Sequence, residues 1–111
     1  MTEKQTTISG KPVGMAYCFA TEIGFNRMTG VNIEDFDAKN SEHVIYFVLA
    51  AIMAYYQSRG EESPVTADDL IYKASPTDII NAMKAAVELR SEWYALPFED
   101  DAPKEDDAKN G

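Results

Sequence analysis

Side chains able to do chemistry are few in this sequence and widely spaced. His43 is the sole histidine and Cys18 the sole cysteine among 111 residues. A histidine serves as a general base only with a nucleophile or carboxylate within hydrogen-bond reach, and neither a nucleophile elbow nor a glycine-rich loop stands near His43. Its place at the start of an apolar run predicts a structural or surface histidine. Cys18 has no basic neighbour in sequence to activate its thiol, and cysteine ranks among the most buried residue types, so it reads as a small packed side chain. One cysteine excludes an intramolecular disulfide and, with one histidine, a Cys/His metal cluster.

Oxygen ligands are richest at Asp35, Asp37, Asn40 and Glu42. A calcium loop needs a glycine at its sixth position and a glutamate at its twelfth, and neither is in place counting from Asp35 or Asp37. The run therefore reads as a solvated connector. Glu88 and Glu92 stand four apart, as paired catalytic carboxylates can, but Lys84 precedes Glu88 by four and the spacing predicts a surface ion pair. Neither a catalytic site nor a cofactor site is expected, and the chain reads as a non-enzyme.

The charge balance narrows the partners. With 19 acidic and 10 basic residues the net charge is −9, and a negative surface repels phosphate backbones and anionic lipid. Thr66 to Arg90 has the outline of a DNA-reading helix pair, but the second helix would open with Pro76, Thr77, Asp78 and Ile79, without a lysine or arginine before Lys84. The stretch Val44–Ser58 is too short and too rich in tyrosine for a membrane span, which needs about 20 apolar residues. Neither nucleic acid nor membrane is an expected partner. The polar N-terminus is no secretory signal, and the cytoplasm is the expected location. Tyr46, Tyr55, Tyr56, Tyr72, Trp93 and Tyr94 offer large rigid contact area with a polar handle. Of these, Tyr56, Trp93 and Tyr94 are the expected protein-binding residues.

Several elements must position them. Thr6 to Met15 carries β-branched residues around a Gly10-Lys11-Pro12 turn signal, which predicts a short hairpin or extended arm. A helix follows from about Tyr17 to Gly30, with Phe19, Ile23 and Met28 toward one face, and Gly24 marks a close neighbour within it. Ile33 and Phe36 anchor a short helical turn. Ser41 is the expected cap of a helix over about Glu42–Ser58, apolar around most of its circumference and so the spine of the fold. Thr66, Asp68 and Asp69 open a short helix that buries Leu70. Ser75, Pro76 and Asp78 start a long helix to about Leu96, with Ile80, Met83, Val87 and Tyr94 along one face and Ile79, Ala86 and Trp93 beside it. Residues 97–111 hold six carboxylates against two lysines, −4 of the net −9, and predict a disordered acidic tail. The expectation is a mainly α fold: one helical domain over 1–96, with an N-terminal hairpin or arm and the tail 97–111.

This order of features resembles the tail assembly chaperones of long-tailed bacteriophages and prophages. The likeness lies in Ile8-Ser9-Gly10-Lys11, a helix finishing Met28-Thr29-Gly30, the short Ile33-Glu34-Asp35-Phe36 element, the apolar helix, and Thr66-Ala67-Asp68-Asp69-Leu70 before the last helix. It covers about residues 6–96, while Gly24 and the acidic end stand outside the family pattern. The resemblance implies a non-enzymatic protein of the bacterial host cytoplasm that binds the tape measure protein, keeps it soluble during tail assembly and is absent from the mature tail. An uncovered apolar helical face would in addition allow self-association when no client is present. A small acidic regulatory or antitoxin-like adaptor, using the same helices on another partner, is the alternative.

Overall fold

A computed structural model of the chain describes residues 1–96. The expected acidic tail, 97–111, lies outside the described residues. Strand β1 (Thr2–Ile8) alternates half-buried Thr2, Lys4 and Thr6 with exposed Glu3, Gln5 and Thr7. It pairs antiparallel with β2 (Lys11–Tyr17), Thr2 opposite Tyr17 and Ile8 opposite Lys11. The turn between them is Ser9-Gly10, with φ of 52° and 80°, the double left-handed geometry whose twist matches that of the flanking strands. Lys11 and Pro12, the last two residues of the turn signal read from the sequence, already belong to β2. Asp78 accepts a 2.9 Å hydrogen bond from the Ser9 N–H and ties the hairpin tip to the last helix.

Helix α1 (Phe19–Thr29) ends at Gly30, whose φ of 75° is the expected left-handed stop. A single 3-10 turn, Ile33–Asp35, buries Ile33. Helix α2 (Ser41–Gln57) is capped by Asn40 rather than Ser41, the Asn40 carboxamide oxygen accepting from the N–H groups of Glu42 and His43. The segment after Pro64 closes as a π-helical turn, Asp69–Lys73, that buries Leu70. Thr66 and Asp69 bond reciprocally at its start, side chain to backbone N–H in both directions, and the Thr66 N–H holds the Asp69 carboxyl below its ordinary pKa. Helix α3 (Pro76–Tyr94) opens as expected, with Ser75 accepting from the Asp78 N–H at 3.1 Å and Pro76 in the first turn.

The mainly α expectation is overturned by the hairpin, which makes the fold α+β. Ile8, Val13, Met15 and Tyr17 are core residues packed with Phe25, Phe47, Val48, Ile52 and Leu89. Helix α2 lies on β2 and on α1, and α3 lies under β1. The sequence signal was weak because β1 is a run of threonine, glutamine and charged residues. Its stability is tertiary: Thr2 donates to the Leu89 carbonyl at 2.9 Å, and Lys4 reaches Glu92 at 3.1 Å.

Several of the apolar residues that helical spacing marks on α1 and α3 lie outside the core. In α1 the buried residues are Thr21 and Phe25, and in α3 they are Ala82, Ala86 and Leu89. Phe19 and Ile23, and likewise Ile80, Val87 and Tyr94, are exposed. Small side chains on the inner face of α3 let the helix approach the hairpin, and the larger apolar ones are left outside.

Two glycines have opposite meanings. At Gly14 the Tyr55 ring occupies the place a Cβ would take, while the Tyr56 hydroxyl accepts from the Gly14 N–H at 3.0 Å. Arg59 lies 3.7 Å over the same Tyr55 ring and pairs with Glu3 at 2.9 Å, so the ring is held down on the strand. At Gly24 a Cβ would lie 3.7 Å from that of Ala50, an ordinary contact. Gly14→Ala is expected to destabilise by about 1–3 kcal/mol through overpacking. Gly24→Ala is expected to stabilise by about 0.5–1 kcal/mol through helix propensity and a less free unfolded chain. Thermal melts of the two variants should move in opposite directions.

Candidate protein-binding surface

The end of α3 and the start of α1 are joined by one carboxylate. Glu22 accepts a 2.8 Å hydrogen bond from the Tyr17 hydroxyl and a second from the hydroxyl of Tyr94. Tyr17 is fully buried, its ring 5.5 Å from that of Trp93, and Trp93 makes an edge contact with Phe19 at 4.7 Å. Burial, then the Glu22 hydrogen bond, push the Tyr17 phenol far above the ordinary tyrosine range, and the nearby Arg90 charge offsets part of this. The same carboxylate raises Tyr94. Thr21 completes the junction, donating to the Ala16 carbonyl at 2.9 Å and accepting from the Cys18 N–H.

This junction holds an apolar surface in place. Ile80, Val87 and Tyr94, seven residues apart on α3, are 54%, 47% and 54% exposed. Phe19 and Ile23 of α1 are 67% and 50% exposed; Phe19 meets Trp93 edge-on, and Glu22, next to Ile23 in the chain, accepts from Tyr94. Between α3 and the 3-10 turn an open groove of about 560 Å³ is lined by Ile33, Phe36, Phe47, Val87, Arg90 and Tyr94, with Glu34 and Ser91 on its walls. Its size is that of a side-chain or ligand pocket. A helix whose outer stripe repeats every seven residues beside such a groove has the form that takes an amphipathic helix.

The three expected binding residues separate. Tyr94 is exposed on this surface, and Trp93 is half-buried behind it between Tyr17 and Phe19. Tyr56 lies apart, half-buried beside β2 with its hydroxyl committed to Gly14. Tyr46 and Tyr55 are half-buried, whereas Tyr72 projects from the π turn into solvent. His43 Nδ1 accepts from the Asp37 N–H at 3.0 Å, and its ring stacks edge-on against Phe25. Cys18 is half-buried at the start of α1. Asp37 and Asn40 spend side-chain oxygens on the N–H groups of Lys39, Glu42 and His43. Among the described residues, no cluster of three His, Cys, Asp or Glu side chains could hold a metal ion. Glu88 and Glu92 pair with Lys4 of β1 at 3.8 and 3.1 Å instead of with Lys84. That pairing crosses from strand to helix, and helical spacing alone carries no trace of it.

Residues missed from sequence are Glu22, Arg90 and the outward role of Ile80 and Val87. The available signal was that α3 carries two apolar stripes, one of alanine and leucine and one of larger side chains, of which the hairpin can cover one. No described helix is long and apolar enough to cross a membrane.

The Glu22 node has a pH consequence. A phenol whose folded pKa lies above the unfolded value of about 10 keeps its proton where the unfolded chain has lost it. The Tyr17 contribution is therefore complete below about pH 10 and is lost as pH rises through the folded-state pKa. The melting temperature should fall between about pH 9 and 11, and less steeply in Tyr17→Phe, as scanning calorimetry across that range would read. No protein-family model, curated protein or solved structure matches the chain.

Proposed function

We propose that this chain is a non-enzymatic, cytoplasmic chaperone of phage tail assembly that keeps the tape measure protein soluble by covering one of its amphipathic helical segments. The observation that carries the reading is the uncovered stripe Ile80, Val87 and Tyr94 on α3, bordered by a groove, with Ile23 and Phe19 of α1 exposed as well. Contiguous exposed apolar side chains on a small protein mark an interaction surface. The hydrogen bonds of Glu22 hold that surface rigid, which lowers the cost of ordering it on binding. The net charge of −9 keeps the chaperone itself dispersed while the apolar face is open. The order of sequence features shared with tail assembly chaperones supplies the client. Self-association through the same face would shelter it between clients.

Co-expression with the tape measure protein of the same genome, followed by size-exclusion chromatography with light scattering, tests this. The expected result is a soluble complex whose mass gives the number of chaperones per client. Val87→Glu, at a position 47% exposed, should change stability by no more than about 0.5 kcal/mol yet leave the client in the insoluble fraction. If wild type and client elute separately, with the client insoluble, the tail-assembly reading fails and an acidic adaptor on another partner takes its place.

A further inference from the structure

We infer that the groove beside α3 selects an apolar helical segment carrying a carboxylate, which Arg90 captures. This rests on the client-binding reading above and names the chemistry of the client at that site. Arg90 lies among Ile33, Phe36, Phe47 and Val87, an apolar setting for a guanidinium. Its Nε is buried and has no hydrogen-bond partner among the described residues. The ion pairs formed among those residues use Lys4, Arg59 and Lys73, and none brings a carboxylate to Arg90. Its charge is nonetheless held in position, because the guanidinium carbon lies 5.1 Å over the Tyr94 ring and the Tyr94 hydroxyl is fixed by Glu22.

One oxygen of the Glu22 carboxylate already accepts two phenolic hydrogen bonds. Glu34 stands on the groove wall and adds negative charge at the rim. A guanidinium presents a planar fork of donors that matches a carboxylate, and such charge-assisted bonds are about twice as strong as neutral ones. An incoming carboxylate would meet a cation already stripped of much of its water and already oriented. An incoming lysine seated at the same point would be repelled by the Arg90 charge, an effect that Glu34 on the groove wall reduces. The partner is a helix rather than a small acid because the groove opens onto the Ile80–Tyr94 stripe, and α3 extends for about 28 Å at 1.5 Å per residue. A small carboxylate would leave most of that stripe wet.

The test uses the full chain and three fluorescein-labelled amphipathic helical peptides that differ at one position in the centre of the apolar face: Glu, Gln or Lys. Fluorescence anisotropy should show the Glu peptide binding about tenfold more tightly than the Gln peptide, and the Lys peptide more weakly than either. In Arg90→Gln the Glu and Gln peptides should bind alike, while the Gln peptide binds as it does to wild type, which also reports that the variant is folded. Arg90→Lys, which keeps the charge, should retain part of the preference. Equal binding of the Glu and Gln peptides to wild type, or a Glu preference that survives in Arg90→Gln, would overturn the inference and leave the client-binding reading standing. If no peptide binds and Val87→Glu also leaves client solubility unchanged, the surface itself is wrong and both readings fall.

Discussion

The rest of the structure depends on strand β2 being buried on both faces. A two-stranded hairpin is marginal in water by itself, so it must be clamped. Val13, Met15 and Tyr17 enter the core shared with Phe25, Phe47 and Leu89, while Gly14 and Ala16 on the other face are sealed by Tyr55 and by the Thr21 hydroxyl. Helix α2 has to be apolar over most of its surface because it meets β2 and α1 together. Helix α3 has to present alanines inward because it lies against a strand whose lower face is threonine and lysine, and only small residues let the two approach.

That packing choice creates the proposed binding face. Once Ala82, Ala86 and Leu89 are the buried residues of α3, helical periodicity leaves Ile80, Val87 and Tyr94, roughly 110–150° around the helix from them, outside that contact. A chain selected for stability alone would place polar residues there, since exposed isoleucine and valine contribute little to the fold. The carboxylate of Glu22 then fixes Tyr94 from α1, so the stripe is presented on a rigid element. The groove beside it keeps a cation whose Nε has no partner among the described residues. Among the described residues the other buried side-chain nitrogens and oxygens have hydrogen-bond partners, and a single unsatisfied one calls for an explanation.

Much of the architecture was legible because local signals act locally. Ser75-Pro76, Gly30 and the apolar run after Asn40 place helix ends and the spine through capping and propensity, which need no knowledge of neighbours. The hairpin was legible only as an alternative to an arm, since Thr2–Ile8 owes its strand to Leu89 and Glu92 far along the chain. Its weight in the core, and hence the α+β class, was not legible for the same reason. Which apolar stripe of α3 turns inward was not legible, because helical spacing marks more than one and only the approach of a strand favours the alanines. The exposure of Tyr94 was legible from its chemistry. Glu22 and Arg90 were not, because what distinguishes them is which groups they meet and, for Arg90, which it does not.

The central claim is that the outward stripe of α3 is the surface that meets the client. Site-specific photocrosslinking tests it most directly, with a benzophenone amino acid placed at Val87 or, as the comparison, at Tyr72, the exposed aromatic of the π turn. In cells producing the tape measure protein, position 87 should crosslink to it and position 72 should not. Crosslinking from position 72 with none from position 87 would contradict the account and move the client to another face of the molecule.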